Sequence, residues 1–289
     1  MNRRSFLGLA AGMPGAAAAC SIDLKSIKTR PNMKVNVAYK APHSAPNGLQ
    51  ATSEGMWVLD EARGNVHAVS LVNWADGRVI REFQITGMNG PSGLTIDNTD
   101  AMWIDSADNS MIFKVDHHKG EVLAKYWAPG AGRSFRMKGD PPRPAVTAAA
   151  PPKTATPKKE PLPPGQLPMD ATTGAGGLGG QGMEHRDGLL YISTLAARRV
   201  FVLDPKTWEV QAMWDTPGNR SHGVGWEGDT LWVADTNLRA FFRYDIKTGN
   251  IVEKIQTAAT DPIIHGATVH DGYLWYCEVE QGRVCNIRL

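Results

Sequence analysis

Cysteine is scarce, with three in 289 residues at positions 20, 277 and 285. Two cysteines near the C-terminus are too few to hold a metal on their own, and no Cys-x-x-Cys-His string offers a haem attachment site. No run of 18 apolar residues occurs, which excludes a polytopic membrane protein. Neither charge dominates: Lys plus Arg is 31 and Asp plus Glu is 29, a net +2, which argues against a dedicated nucleic-acid binder. A serine-hydrolase elbow, a zincin motif and a P-loop are all missing. The Gly-rich stretch 174–182 mimics a dinucleotide loop, yet no strand precedes it and no helix follows. What the chain does have is 42% apolar residues, enough for a sizeable core, together with 30 Gly and 9 Trp. That composition points to many turns and repeated aromatic anchors.

The start of the chain reads as an address. Arg3-Arg4 followed by Phe6-Leu7, a short apolar stretch and a run of small residues resembles a twin-arginine export signal over residues 1–20. An ordinary secretory signal is the alternative. Ala17-Ala18-Ala19-Cys20 makes Cys20 a lipidation candidate, although the usual Leu three residues earlier is missing and simple cleavage after an Ala competes. The expected location is periplasmic or otherwise exported, with membrane contact only through a lipid on Cys20.

Beyond the leader, one pattern recurs five times: Gly48…Met56-Trp57-Val58, Gly93…Met102-Trp103-Ile104, Gly182…Leu190-Tyr191-Ile192, Gly223…Leu231-Trp232-Val233 and Gly266…Leu274-Trp275-Tyr276. From Gly to aromatic the distance is nine residues in four copies and ten in the second. Each aromatic is followed by a turn and a second alternating run, such as Val200–Asp204, then by another turn and a last β-rich run, such as Glu121–Tyr126. Period-2 alternation bounded by Gly, Asp and Asn is the strand signal, and four short strands per repeat make the blade of a β-propeller.

The Trp103-to-Tyr191 gap is 88 residues, about two periods, but residues 129–168 hold 11 of the 19 prolines. Proline removes ladder donors, so 129–178 is expected to be a polyproline-like insertion between blades two and three, outside the strands. The last repeat lacks an outer strand, which Met33–Tyr39 is placed to supply, closing the ring and removing its exposed edge. The expectation is an all-β, five-bladed propeller spanning 21–289, with six blades as the alternative if the insertion hides strands.

Strings such as His222-Gly223-Val224…Leu231-Trp232-Val233-Ala234-Asp235 and Gly90-Pro91-Ser92-Gly93-Leu94 resemble NHL-repeat, gluconolactonase and streptogramin (virginiamycin B) lyase propellers over most of the chain. The chain departs from streptogramin lyases in having fewer blades. It also carries Trp275-Tyr276-Cys277-Glu278 where they carry Trp-Phe-Thr-Glu.

Aligning the repeats places one polar residue before each Gly: Asn47, Ser92, Gln181, His222 and His265. These are expected to ring one mouth of the central channel. Three residues after each aromatic lies a second polar register: Asp60, Ser106, Thr194, Asp235 and Glu278. An Asp there often only caps a turn, and an inward histidine can be plain core, so both bland readings stand beside the functional one. Histidines beside carboxylates suit acid–base or divalent-metal chemistry. The lyase resemblance implies His265 as base with His222 as its repeat partner, Glu278 and Asp235 holding Mg²⁺ or Ca²⁺, and Asn47, Ser92, Gln181 and Asp60 binding substrate. It implies a lyase or hydrolase acting on a small ester or lactone. A non-catalytic propeller binding a ligand or protein through the same face is the alternative, and the chain is expected to be a monomer. His117-His118 falls in a hairpin turn and is expected to be solvated. A three-residue turn at Glu280-Gln281-Gly282 would set Cys277 opposite Cys285, so a disulfide is expected between them.

Overall fold

The computed structural model describes residues 22–61, 66–130, 161–174 and 179–289. The leader with Cys20, and residues 131–160 and 175–178 of the insertion, lie outside the described residues. Those described form strands and turns with no helix.

The first strand, β1 (Val35–Lys40), precedes the repeats. Blade one is β2 (Pro46–Ala51), β3 (Met56–Asp60), β4 (Val66–Val72) and β5 (Val79–Thr86). Blade two is β6 (Pro91–Ile96), β7 (Met102–Ser106), β8 (Met111–Asp116) and β9 (Glu121–Trp127), with β10 (Gln166–Leu167) added at its edge. Blade three is β11 (Gly180–Arg186), β12 (Leu189–Thr194), β13 (Arg199–Asp204) and β14 (Glu209–Asp215). Blade four is β15 (Ser221–Glu227), β16 (Thr230–Asp235), β17 (Ala240–Asp245) and β18 (Asn250–Gln256). Blade five is β19 (Ala267–His270), β20 (Tyr273–Glu278) and β21 (Arg283–Arg288), completed by β1, which pairs antiparallel with β21. The ring closes as the missing outer strand requires, and five sheets rather than six are present among the described residues.

Local chemistry explains these elements. Strands β2 and β3 are buried on both faces, β3 reading as a nearly continuous apolar run, whereas outer β5 is largely exposed, with half-buried or buried residues at every second position from Arg81 to Ile85. Asp187-Gly188 and Asp271-Gly272 turn their hairpins with φ of 52° and 78°, and of 52° and 76°, the paired left-handed geometry of a two-residue turn. In blade two the corresponding turn is Asn98–Asp100, with Asp100 at φ 61°; this is the extra residue behind the ten-residue spacing.

Each repeat aromatic enters a core between its own blade and a neighbour. Trp57 packs with Leu94, Ile104 and Phe113 of blade two, Trp103 with Ile192 and Trp208 of blade three, and Tyr191 with Val224 and Val233 of blade four. Trp232 packs with Leu274 and Tyr276 of blade five, and Trp275 with Leu49 and Val58 of blade one. The hydrophobic stabilisation is thus divided among five seams of close-packed side chains.

Two expectations need correction. The insertion contributes to the fold: Gln166–Leu167 pair with Tyr126 and Lys125, Leu167 is buried in the seam between blades one and two, and Gly165 lies against Trp208. The expected disulfide is absent, since Cys277 and Cys285 are both free. Glu278 pairs with Arg283, which makes a four-residue loop where three had been expected. Cys285 therefore faces Tyr276, and Cys277 faces Val284. A one-residue slip moves a side chain to the other face of a sheet. Cys277 consequently lies in the seam with blade one and Cys285 in the seam with blade four.

Candidate functional site

The first strands of neighbouring blades touch around a closed circle, and the repeat glycines make this approach possible. A Cβ on Gly93 would lie 2.6 Å from the Gly182 Cα, one on Gly182 2.9 Å from the Gly223 Cα, and one on Gly266 2.8 Å from the Gly48 Cα. The axis lined by Gly48, Gly93, Gly182, Gly223 and Gly266 is too narrow for a water molecule. The expected channel chemistry must therefore sit at a mouth rather than inside a pore.

At the upper mouth, where each first strand begins, the polar register stands as expected. In blades one to four the first strand gains one residue over its partner, between Pro46 and Gly48, Pro91 and Leu94, Gly180 and Gly182, and Ser221 and Val224. Such bulges re-aim side chains. They contain Asn47, Ser92, Gln181 and His222, all buried. His265 holds the same place before β19, its N–H bonded to the Cys277 carbonyl at 3.0 Å.

The ring divides into two halves. Asn47 Nδ2 donates to Ser92 Oγ at 3.2 Å and to Glu61 Oε2 at 2.9 Å, and Ser92 Oγ donates to the Gln181 carbonyl at 2.7 Å. This amide–hydroxyl half is largely self-satisfied, leaving the buried Asn47 Oδ1 without a partner. The other half is a pair of imidazoles: the His222 and His265 rings stack at 5.0 Å and 24°. Thr236 Oγ1 donates its single proton to the Ile264 carbonyl at 2.7 Å, so His222 Nδ1, 2.7 Å away, must carry the proton of that hydrogen bond. Its Nε2 is left with a bare lone pair.

Burial, with Arg220 as a further cause, pushes the His265 pKa down to about 4. His222 is lowered well below its ordinary value by burial and then by His265 and Arg220. Both rings are therefore neutral at pH 7 and available as bases. The buried His265 Nδ1 has no hydrogen-bond partner. His265 lines a cavity of about 310 Å³ between blades four and five, together with Arg220, Thr236, Arg239, Ile263 and Glu280. The Arg220 guanidinium forms no ion pair among the described residues.

The second register does different work. Asp60 accepts the Ala45 N–H at 2.8 Å, and Asp235 accepts those of Leu238 at 2.9 Å and Arg220 at 3.3 Å. Glu278, fully buried, accepts the Glu280 and Gln281 N–H groups at 2.7 and 3.1 Å and Arg283 Nε at 3.0 Å. Ser106 bonds the Asn89 N–H at 2.9 Å, and Thr194 donates to the Pro129 carbonyl at 3.4 Å. These side chains hold the loops that frame the mouth. Asp235 and Glu278 spend their carboxylate oxygens on turn N–H groups and Arg283, and no three His, Cys, Asp or Glu ligand atoms cluster at the upper mouth among the described residues, so these two side chains do not fit as holders of the expected Mg²⁺ or Ca²⁺. One candidate metal-binding triad does exist, made of Asp100, His117 and His118 on the opposite, lower face of blade two.

Sequence reasoning missed Glu61, Arg220 and Thr236 at the mouth, and a third register two residues after each glycine. The latter reads Gln50, Thr95, Glu184, Gly225 and Thr268, with its four side chains buried below the glycines. Glu184 accepts a hydrogen bond from Thr268 Oγ1 at 3.0 Å, and burial raises its pKa to about 8. Four polar residues in one inward register were the available signal.

No protein-family model and no curated protein sequence matches this chain. Among solved structures it is similar to the glutaminyl cyclase of Myxococcus xanthus, at 10% identity and a TM-score of 0.58 over 89% of this chain and 96% of that one. It is also similar to virginiamycin B lyase from Staphylococcus aureus, at 13% identity and a TM-score of 0.50 over 89% of this chain and 100% of that one. At such identities the likeness is one of fold alone: the chain is a five-bladed β-propeller, and those two enzymes are β-propellers as well.

Proposed function

We propose that this chain is an exported, monomeric propeller enzyme that acts as a lyase or hydrolase on a small ester- or lactone-like substrate at the cavity between blades four and five. The observation that carries the reading is the stacked, neutral His222–His265 pair, with the His265 ring on the same cavity wall as Arg220, whose guanidinium has no ion-pair partner among the described residues. In an elimination His265 takes the substrate proton, the C–H electron pair becomes the new double bond, and the ester C–O bond breaks to leave a carboxylate that Arg220 stabilises. In a hydrolysis the same base takes a proton from water as the water oxygen adds to the carbonyl carbon; the C–O bond then breaks, and the leaving alkoxide takes that proton back from the His265 imidazolium. Arg239 adds positive charge, and His222, with its lone pair on Nε2, orients substrate or shares the base role. No step runs through a metal at this mouth.

The axis is closed, so substrate and product use the same opening. The test is turnover of a panel of esters and lactones by the purified chain, followed by product mass. His265→Ala is expected to lower kcat about 10²–10⁴-fold with the fold intact, and Arg220→Ala to lower kcat as well, since the carboxylate it stabilises forms only as the C–O bond breaks. Full activity in His265→Ala on a substrate that the chain turns over would refute the assignment. The commitment of Asp60, Asp235 and Glu278 to turns favours a second reading, a propeller that binds a ligand without chemistry. Ligand binding lost in His265→Ala, with no turnover of any bound compound, would select it.

A further inference from the structure

The lower face of blade two carries a cluster unconnected with the upper mouth. His117 was expected to be solvated, yet it is only 4% exposed. Its ring stands edge-on to Trp57 of blade one, 5.5 Å between centroids at 88°, and its Nδ1 has no partner. Its Nε2 is 3.6 Å from Asp100 Oδ1, too far for a hydrogen bond. His118 is half-exposed and places its Nε2 2.6 Å from Asp100 Oδ2. One ligating atom from each of the three residues lies within 4.8 Å of the others. Asp100 is present only because the second repeat has a three-residue first turn, and the histidines occupy the next turn on the same face.

We propose that Asp100, His117 and His118 bind a first-row transition-metal dication, Zn²⁺ foremost, at the lower edge of blade two. Two imidazoles and one carboxylate are the donor set such ions prefer, whereas Mg²⁺ and Ca²⁺ favour all-oxygen shells. His117 is the pre-oriented ligand, since its packing against Trp57 fixes the ring before any ion arrives. The exposed Asp100 and His118 leave the ion open to solvent on one side.

Arg81 of blade one competes for the site. Its Nη1 donates to His118 Nδ1 at 3.0 Å, which puts the imidazole proton on Nε2, facing Asp100. The ion replaces that proton, which moves to Nδ1, and Arg81 turns to Glu54, whose carboxylate is already 3.9 Å away. The guanidinium therefore sets the affinity by opposing the ion, a consequence that an ordinary surface ion network does not share.

The test is titration of the chelator-treated full chain with Zn²⁺ by calorimetry, and with Co²⁺ by visible absorption. The expected results are one ion per chain and a ligand-field spectrum. Asp100→Asn, which suits the left-handed turn, and His118→Ala, at an exposed position, should each weaken binding at least about 10-fold. Arg81→Gln should tighten it several-fold. His117→Ala should abolish binding, and circular dichroism would confirm that the fold survives. Failure of the native chain to bind Zn²⁺ stoichiometrically would overturn the proposal. So would binding that is unchanged in both Asp100→Asn and His118→Ala.

Discussion

Replacing Gly93 with Ala tests whether the blades meet as closely as the axis requires. The added methyl would lie 2.6 Å from the Gly182 Cα and 2.7 Å from both the Gly182 carbonyl carbon and the Met183 nitrogen. Comfortable carbon contacts are about 3.5–4.0 Å, so β6 and β11 must separate by roughly 1 Å. All three opposing atoms are backbone, and no side chain can rotate aside. Overpacking of this kind costs about 1–3 kcal/mol, and the rigid neighbours put Gly93→Ala at the upper end. At roughly 2 °C per kcal/mol for a chain of this size, the melting temperature should fall by about 6 °C. Gly188→Ala is the control: its φ is 78° but nothing lies within 4 Å of its Cβ, so only the left-handed penalty of about 1–2 kcal/mol applies. Thermal and urea unfolding of both variants would separate steric from conformational cost. If Gly93→Ala melts no lower than Gly188→Ala, the blades do not meet as described. Ser92 precedes Gly93 and bonds the Gln181 carbonyl, so the same variant should also disturb the upper mouth.

Three other outcomes are expected. Both Cys277 and Cys285 should resist thiol reagents until the chain unfolds, because they are buried and burial lifts the Cys285 thiol to about 11; reductant should leave the melting temperature unchanged, and a Cys277–Cys285 bridge found by mass spectrometry would contradict the register. Glu184, raised from 4.5 to about 8, holds a proton in the folded chain that the unfolded chain releases, so it makes stability decline as pH rises from about 4.5 to 8. Glu184→Gln lacks that decline, and its advantage over the native chain in urea titrations should grow between pH 5 and 9; a pH-independent difference would show that the acid is unshifted. Leu167→Ala should cost about 2 kcal/mol in the same assay, and no loss would mean that residues 161–174 add nothing to the seam between blades one and two.

Strand and blade were legible in the sequence because both follow from spacing. The period-2 runs gave the sheets, the five Gly-to-aromatic repeats the blades, and the orphaned last repeat the closing strand, foreseen at Met33–Tyr39 and found at Val35–Lys40. The mouth register was legible for the same reason, since the polar residue before the glycine recurs with the repeat, in a bulge in blades one to four. What spacing could not convey was loop length to a single residue. That one residue separates an opposed Cys277–Cys285 pair from two thiols in different seams. Nor does spacing say where a side chain's lone pairs are spent: Asp235 and Glu278 look like ligands in a string of letters, but turn N–H groups take their oxygens. His117 was misread because its burial comes from Trp57, sixty residues earlier in the chain and in another blade.

The closing strand carries a kinetic consequence. Val37 pairs with Cys285, a separation of 248 residues, whereas pairings within blades three and four join residues at most 16 positions apart. Loop-closure entropy makes such a long-range contact the slowest to form, so blades one to four can assemble locally while blade five waits for its outer strand. An intermediate with β21 unpaired exposes a free sheet edge, the surface through which such chains associate wrongly. Once β1 docks, the six-residue strand removes that edge, and its release would expose the edge again.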